Sequence, residues 1–269
     1  MVKQVPYELV VCIKQVPDPK FISRIRINPE TKTIIREGVP AVINPLDKHA
    51  LEEALRIREQ HGGRVTVVSM GPLQAEDACK EALAMGADRA VLITDRRLAG
   101  SDTLATALAL SKAIRRIGGF DLVLCGAETV DGSTGQVPPQ LAEFLGVPHV
   151  TRVFSLALKG REAEAKAALE YGYRRVLLRL PAVVSVIREI NEPRIPSVSG
   201  ILRAHQIPVE KWTIEDIGLS EDEAGIKGSP TIVSDVYEIE VRRKREVFQG
   251  PPEEAARWLF ERIVSVLGG

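Results

Sequence analysis

A chain of 269 residues, 45% of them hydrophobic, can bury a substantial core, which excludes global disorder. Lysine plus arginine equals aspartate plus glutamate at 36 each, so no net field draws the chain to nucleic acid or to an anionic membrane. The three cysteines, Cys12, Cys79 and Cys125, lie far apart and form no CxxC, which excludes an encoded redox pair or zinc site.

The first element in chain order is a buried strand, "ELVVCI", Glu8 to Ile13. The apolar run before Lys14 is too short for a signal segment. No other stretch approaches the roughly 20 apolar residues of a membrane span. A soluble, cytoplasmic protein is therefore expected. "RIRINPETKTIIR" alternates polar and apolar residues about a turn at Asn28 to Thr31 and predicts an inserted hairpin. "NPLDKHALEEALRIREQ" then places Leu46, Ala50, Leu51, Ala54, Leu55 and Ile57 on one helical face. Asn44 stands as its cap, Pro45 suits the first helical position, and Asp47 occupies the capping-box place.

The cycle repeats with strand "RVTVVSM", a helix ending at Gly86 and strand "RAVLIT". A further helix is expected to be capped by Ser101 and stopped at Gly118. "DLVLCG" is the next strand, followed by helix "PPQLAEFLG", closed by Gly146. Strands alternating with helices of this length predict an α/β fold, a doubly wound, mostly parallel, Rossmann-like sheet covered on both faces. Such sheets bind ligands at the carboxyl ends of strands near the switch in strand order, so the segments after Ile13, Ser69 and Cys125 should converge.

Beyond Gly146 the pattern changes to strands with polar turns, ending with "AVVSVI", Ala182 to Ile187. These complete an α/β domain over residues 1–190. From Asn191 regular periodicity is lost, and residues 191–269 are expected as an extended arm with a terminal helix that docks either on this domain or on a partner. That helix puts Ala256, Leu259, Phe260, Ile263 and Leu267 on one face. The basic run Arg242 to Arg245 reads as a solvated tail.

The chemistry concentrates at "VDGSTGQVPPQLAEF", from Val130. Gly132 and Gly135 permit close backbone approach, and Ser133, Thr134 and Gln136 add donors where a helix begins. The pattern fits either an anion cradle or an ordinary capped helix. Asp131 would repel a phosphate unless it faced hydroxyls or capped the turn. His49, Glu52 and Glu53 share a helical face and read as surface charge pairing rather than a metal site. No Walker, GxSxG or HExxH motif occurs, and the histidines lack ligand spacing. No acid–base or nucleophilic site is encoded, which favours a binding or carrier role over a free-standing ATP-hydrolysing protein.

Several segments resemble the β subunit of electron-transfer flavoprotein: "VVCIKQVPD", "INPLDKHALEEALRIRE", "VVSMGP", "ALAMGADRAVLI", "DLVLCGAETVDGSTGQ" and "LPAVVSVIREINEPRIP". They come in the family's order and span most of the chain up to Arg203. The resemblance implies an obligate heterodimer with an α subunit that carries most of one FAD, while the β subunit holds a second adenine nucleotide. Nucleotide contacts carried over by position fall on Cys12, Asn44, Pro45, Leu46, Asp47, Met70 and Gly126, and on Val130, Asp131, Gly132, Ser133, Thr134, Gly135 and Gln136. The family's partner-recognition loop falls on Glu192 to Arg203, with Glu192, Pro193, Arg194, Val198 and Arg203 as its candidate residues. Its usual leucine–proline anchor is replaced here by Val198 and Ser199.

Simple carriers of the family hold AMP and accept electrons from flavin dehydrogenases, with a longer, more acidic loop. Bifurcating relatives carry a short loop, which "DGSTGQVP" resembles, with Pro138 in place of a glycine. That likeness implies FAD in the β site and electrons from NADH divided between a low-potential acceptor and a dehydrogenase or quinone-linked partner. The alternative is the simple carrier with structural AMP.

Overall fold

The computed structural model describes residues 6–24, 26–27, 34–35, 38–234 and 246–267. The first strand, β1 (Tyr7–Ile13), is almost wholly buried, and its side chains alternate between two cores. Leu9, Val11 and Ile13 enter one; Val10 and Cys12 enter the other. β2 (Gln15–Pro17) follows, then β3 (Arg26–Ile27) and β4 (Ile34–Ile35) pair antiparallel as the expected hairpin. Its turn, Asn28 to Thr31, lies outside the described residues. β5 (Ala41–Ile43) returns to pair antiparallel with β2.

From there α1 (Pro45–His61), β6 (Gly63–Met70), α2 (Glu76–Met85), β7 (Arg89–Ile93), α3 (Thr103–Ile117), β8 (Leu122–Gly126) and α4 (Val137–Leu145) alternate. Then come β9 (His149–Lys159), β10 (Glu162–Ala168), β11 (Tyr173–Arg179) and β12 (Ala182–Val186). α5 (Val198–Gln206) and β13 (Glu210–Trp212) complete the first unit. The nine-stranded sheet has the order β11-β10-β9-β12-β8-β1-β6-β7-β13. Pairings among β9, β12, β8, β1, β6, β7 and β13 are parallel; β10 pairs antiparallel with β9 and β11.

This order explains where a ligand can enter. The chain winds outward from β1 through β6 to β7, then crosses back to place β8 on the other side of β1. The connections leaving β1 and β8 diverge, and a crevice opens at their carboxyl ends. One face of the sheet is covered by α1 and α2, with Leu51, Leu55 and Leu83 fully buried. The other is covered by α3 and α4, with Leu110, Ile114 and Leu141. Each such side chain contributes about 1.5–3 kcal/mol relative to exposure.

Two expectations are corrected here. Asp102, not Ser101, caps α3: its carboxylate accepts from the backbone N–H groups of Leu104 and Ala105, both at 3.0 Å, while the Ser101 hydroxyl donates to the Leu98 carbonyl. Residues 191–234 are not an irregular arm. α5 packs on α2, β13 extends the sheet beside β7, and Trp212, Ile214, Ile217, Leu219 and Ala224 enter the second core. Single apolar anchors spaced between prolines carry no periodicity, yet each finds a slot on the finished domain.

The chain divides into compact units 1–234 and 235–269. In the second, α6 (Pro252–Leu267) has Phe248 stacked on Trp258 and an Arg262–Glu246 ion pair at 2.8 Å. Leu259, Phe260 and Ile263 are exposed within it. The basic run Arg242 to Arg245 lies outside the described residues. No helix among the described residues is long and apolar enough to cross a membrane.

Candidate functional site

The crevice predicted by strand order is present as a cavity of about 570 Å³ in the first unit. That volume falls in the usual range for small-molecule and cofactor sites. Cys12 and Cys125 form part of its floor, because their alternation in β1 and β8 turns both toward α3 and α4. Met70 at the end of β6 and Leu110 of α3 add apolar wall. The starts of α3 and α4 form the rim.

Asp47 holds the strand ends together. Its carboxylate accepts from the backbone N–H of Lys14 at 2.8 Å and of Gly126 at 3.0 Å, so one side chain joins the ends of β1 and β8 to the first turn of α1. Asp47 is therefore not a capping-box acid turned back on its own helix. Burial pushes its carboxyl up to about 7, against hydrogen bonds from Asn44, Lys14 and Gly126 and the charge of Lys14. Asn44 is the cap residue by position, but its side chain makes no cap bond. It donates instead to the Glu128 carbonyl at 2.9 Å and accepts from the Val130 N–H at 3.1 Å. Asn44 thereby secures the entry to the loop.

Within the loop, Gly132, Thr134, Gly135 and Gln136 line the cavity. Ser133 adopts φ 48°, and its hydroxyl and backbone N–H both point to the Thr129 carbonyl, at 3.1 and 2.8 Å. The Ser133 hydroxyl thus braces the turn. Gln136 accepts from the Thr103 hydroxyl at 2.8 Å, which bridges the starts of α3 and α4.

The helix starts supply fewer anion donors than their position suggests. Pro138 and Pro139 remove two backbone N–H groups from the first turn of α4. In α3, Asp102 already occupies the first-turn donors, and it also accepts from the Thr231 N–H and hydroxyl, at 3.1 and 2.7 Å. Backbone amides of the loop and side-chain donors therefore carry the polar part of the site.

Of the residues expected to contact a nucleotide, Cys12, Asp47, Met70, Gly126, Gly132, Thr134, Gly135 and Gln136 come together at the cavity. Asn44, Pro45, Leu46, Val130, Asp131 and Ser133 are not among its lining residues. Sequence reasoning missed Lys14, Thr103, Thr106 and Thr231, which also line it. The lysine directly after the buried strand was the available signal.

The segment expected to recognise a partner is tied to the domain at both ends. Arg194 pairs with Glu52 at 2.7 Å and Glu59 at 2.6 Å, and the Glu192 carbonyl accepts from Arg56 at 3.3 Å. Arg203 donates to the Leu83 and Ala87 carbonyls at the end of α2. Pro193 is partly exposed, and Val198 stands 76% exposed beside Ile195 and Leu202. His49 and Glu53 both bond Asn191, and Glu52 pairs with Arg56 and Arg194, which accounts for that helical face by hydrogen bonds and ion pairs.

Residues 31–217 match the family model described as electron transfer flavoprotein domain. The chain is 50% identical over 258 residues to the electron transfer flavoprotein subunit beta of Thermoanaerobacterium thermosaccharolyticum, covering 96% of this chain and 98% of that protein. It is 45% identical over 245 residues to Protein FixA of Azorhizobium caulinodans, covering 88% and 86% of the two chains. It is 43% identical over 226 residues to the caffeyl-CoA reductase-Etf complex subunit CarD of Acetobacterium woodii, covering 84% and 85%.

Proposed function

This chain belongs to the electron transfer flavoprotein family as a β-type subunit, and on that premise we propose that it binds FAD in the cavity between β1 and β8 and serves electron bifurcation. It works as a heterodimer with an α subunit that holds most of a second FAD. Electrons from NADH divide between a low-potential acceptor and a dehydrogenase or quinone-linked partner. The observation that carries the proposal is the 570 Å³ cavity bounded by the short Gly132–Gln136 loop. The similarity to a subunit named as part of a caffeyl-CoA reductase-Etf complex supports the same class of role.

The residues present fit the cofactor. Cys12, Met70, Leu98 and Leu110 would take apolar ring surface, while Lys14, Thr103, Thr134 and the loop amides would take phosphate and ribityl oxygens. When bound, the flavin supplies hydride acceptance and one-electron chemistry. The chain itself positions: Asp47 fixes the strand ends, Asn44 fixes the loop entry, and Ser133 braces the turn.

Acid extraction of the purified heterodimer, with chromatographic quantification of released nucleotides, tests the site. Two FAD per heterodimer are expected. One FAD and one AMP would replace the proposal with the simple carrier. Two FAD with no NADH-driven bleaching of flavin absorbance would keep the cofactor and remove the bifurcation.

A further inference from the structure

Among the described residues that line the cavity, Lys14 is the one lysine or arginine. Its backbone cannot wander: its N–H donates to Asp47 at 2.8 Å, and its carbonyl accepts from the Asn44 N–H at 2.8 Å. Its side chain is 45% exposed and carries a flexible four-carbon stem, so the ammonium can move while its root stays fixed. That ammonium donates to both oxygens of Asp131, at 2.8 and 2.7 Å. The Asp131 side chain is only 14% exposed, and it sits at the start of the loop that would cradle an anion. Besides the loop amides, the helix starts add little positive potential, since Asp102 occupies the start of α3 and prolines thin the donors of α4. A phosphate entering this cavity therefore meets, among the described residues, one mobile cation, and that cation is held by a carboxylate.

We infer that Lys14 is the group that reads phosphate charge in this cavity, and that Asp131 competes with the ligand for it. This assignment rests on the nucleotide-binding reading of the same cavity. Without a ligand phosphate, the pair is closed and locally neutral. A phosphate draws the ammonium inward and leaves Asp131 to solvent or to its neighbour Thr129. Two consequences follow from charge alone. Neutralising Lys14 must weaken ligands in proportion to their phosphate charge, and neutralising Asp131 must act with the opposite sign. A pair that merely braced the loop would give the same sign for both.

The test uses the full chain with any co-purifying subunit, stripped of nucleotide, and calorimetric titration with adenosine, AMP and ADP. Lys14→Gln is expected to weaken ADP roughly tenfold or more, the range of a charge-assisted hydrogen bond, while changing adenosine less than about twofold. Asp131→Asn is expected to tighten ADP several-fold, about two- to fivefold after screening by salt, and to leave adenosine unchanged. The double variant should resemble Lys14→Gln alone. Thermal melts of each variant establish that the fold is retained. Equal weakening of adenosine and ADP by Lys14→Gln, or weakening of ADP by both substitutions, overturns the Lys14 assignment and leaves the cavity's nucleotide role intact. Wild-type protein that binds none of the three ligands overturns the nucleotide reading, and this assignment with it.

Discussion

Gly126 lies where β8 passes the first turn of α1. A Cβ at this position would stand 2.4 Å from Asp47 Oδ1 and 2.8 Å from Leu46 Cβ, both on a helix start with no room to retreat. Gly126→Ala is expected to cost about 1–3 kcal/mol through overpacking, read as a lowered melting temperature. Asp47 itself makes a pH prediction. Its carboxyl is raised from 3.8 to about 7 by burial, so between those values the folded chain holds a proton that the unfolded chain has lost. Stability from this group is therefore full below pH 4 and declines as pH rises toward about 7. Asp47→Asn removes that slope. Its amide also sets a donor against Lys14 N–H or Gly126 N–H, a loss of about 1–3 kcal/mol. Urea unfolding at pH 5 and pH 8 checks both, and a variant with the wild-type pH slope would clear Asp47 of the effect. In the loop, Thr134→Ala should release nucleotide, by about 1.5–3 kcal/mol if its hydroxyl meets a charged oxygen, and Ser133→Ala should act through the turn instead. Retention of nucleotide by Thr134→Ala with native circular dichroism would leave the loop as a helix cap only.

At the scale of elements, the 191–234 segment is held by few, specific anchors. Arg194 reaches from the segment to Glu52 and Glu59 of α1, and Glu52 is 4% exposed in its side chain. Removing the Arg194 side chain leaves Glu52 with Arg56 as its charged partner and with the backbone N–H of residue 194 at 3.2 Å. The expected cost of Arg194→Ala is about 1–2 kcal/mol, below that of a fully buried pair because the arginine is partly exposed and one partner remains. Hydrogen exchange should quicken first over residues 191–206, before any change in β1 or β8. Uniform loss of protection across the sheet would show that the segment is not a separate layer. α5 is anchored by Lys80, which donates to the Ala204 and Ile207 carbonyls at its end, and by Ala204 against α2. Its outer side leaves Val198, Ile201 and Leu202 exposed.

At the scale of the whole molecule, the described residues of the second unit leave apolar surface that this unit does not itself cover. α6 exposes Leu259, Phe260, Ile263 and Leu267, the face that helical spacing marked for docking. Obligate interfaces typically bury more than about 2,000 Å² and are rich in such residues. A chain ended after Ser234 keeps the compact first unit and its cavity. It is expected to melt cooperatively and to lose co-purification with the α subunit. Undiminished co-purification after that truncation would move the interface onto the first unit.

The alternation of strands and helices was legible in the sequence because it arises from local pattern: a short continuous apolar run for β1, apolar residues every third or fourth position along α1. The crevice was legible too, since the order of such elements restricts how a parallel sheet can wind. What tertiary structure alone decided are the contacts between residues distant in the chain. Asp47 meets Gly126 rather than its own helix, Asn44 meets the loop at Val130, and Lys14 meets Asp131. Trp212 leaves a proline-rich stretch to pack beneath Arg116, 4.9 Å from the ring centre. None of these has a repeat to announce it. A polar side chain follows the nearest unpaired partner that folding brings to it, and for these residues the partner arrives from another strand or loop.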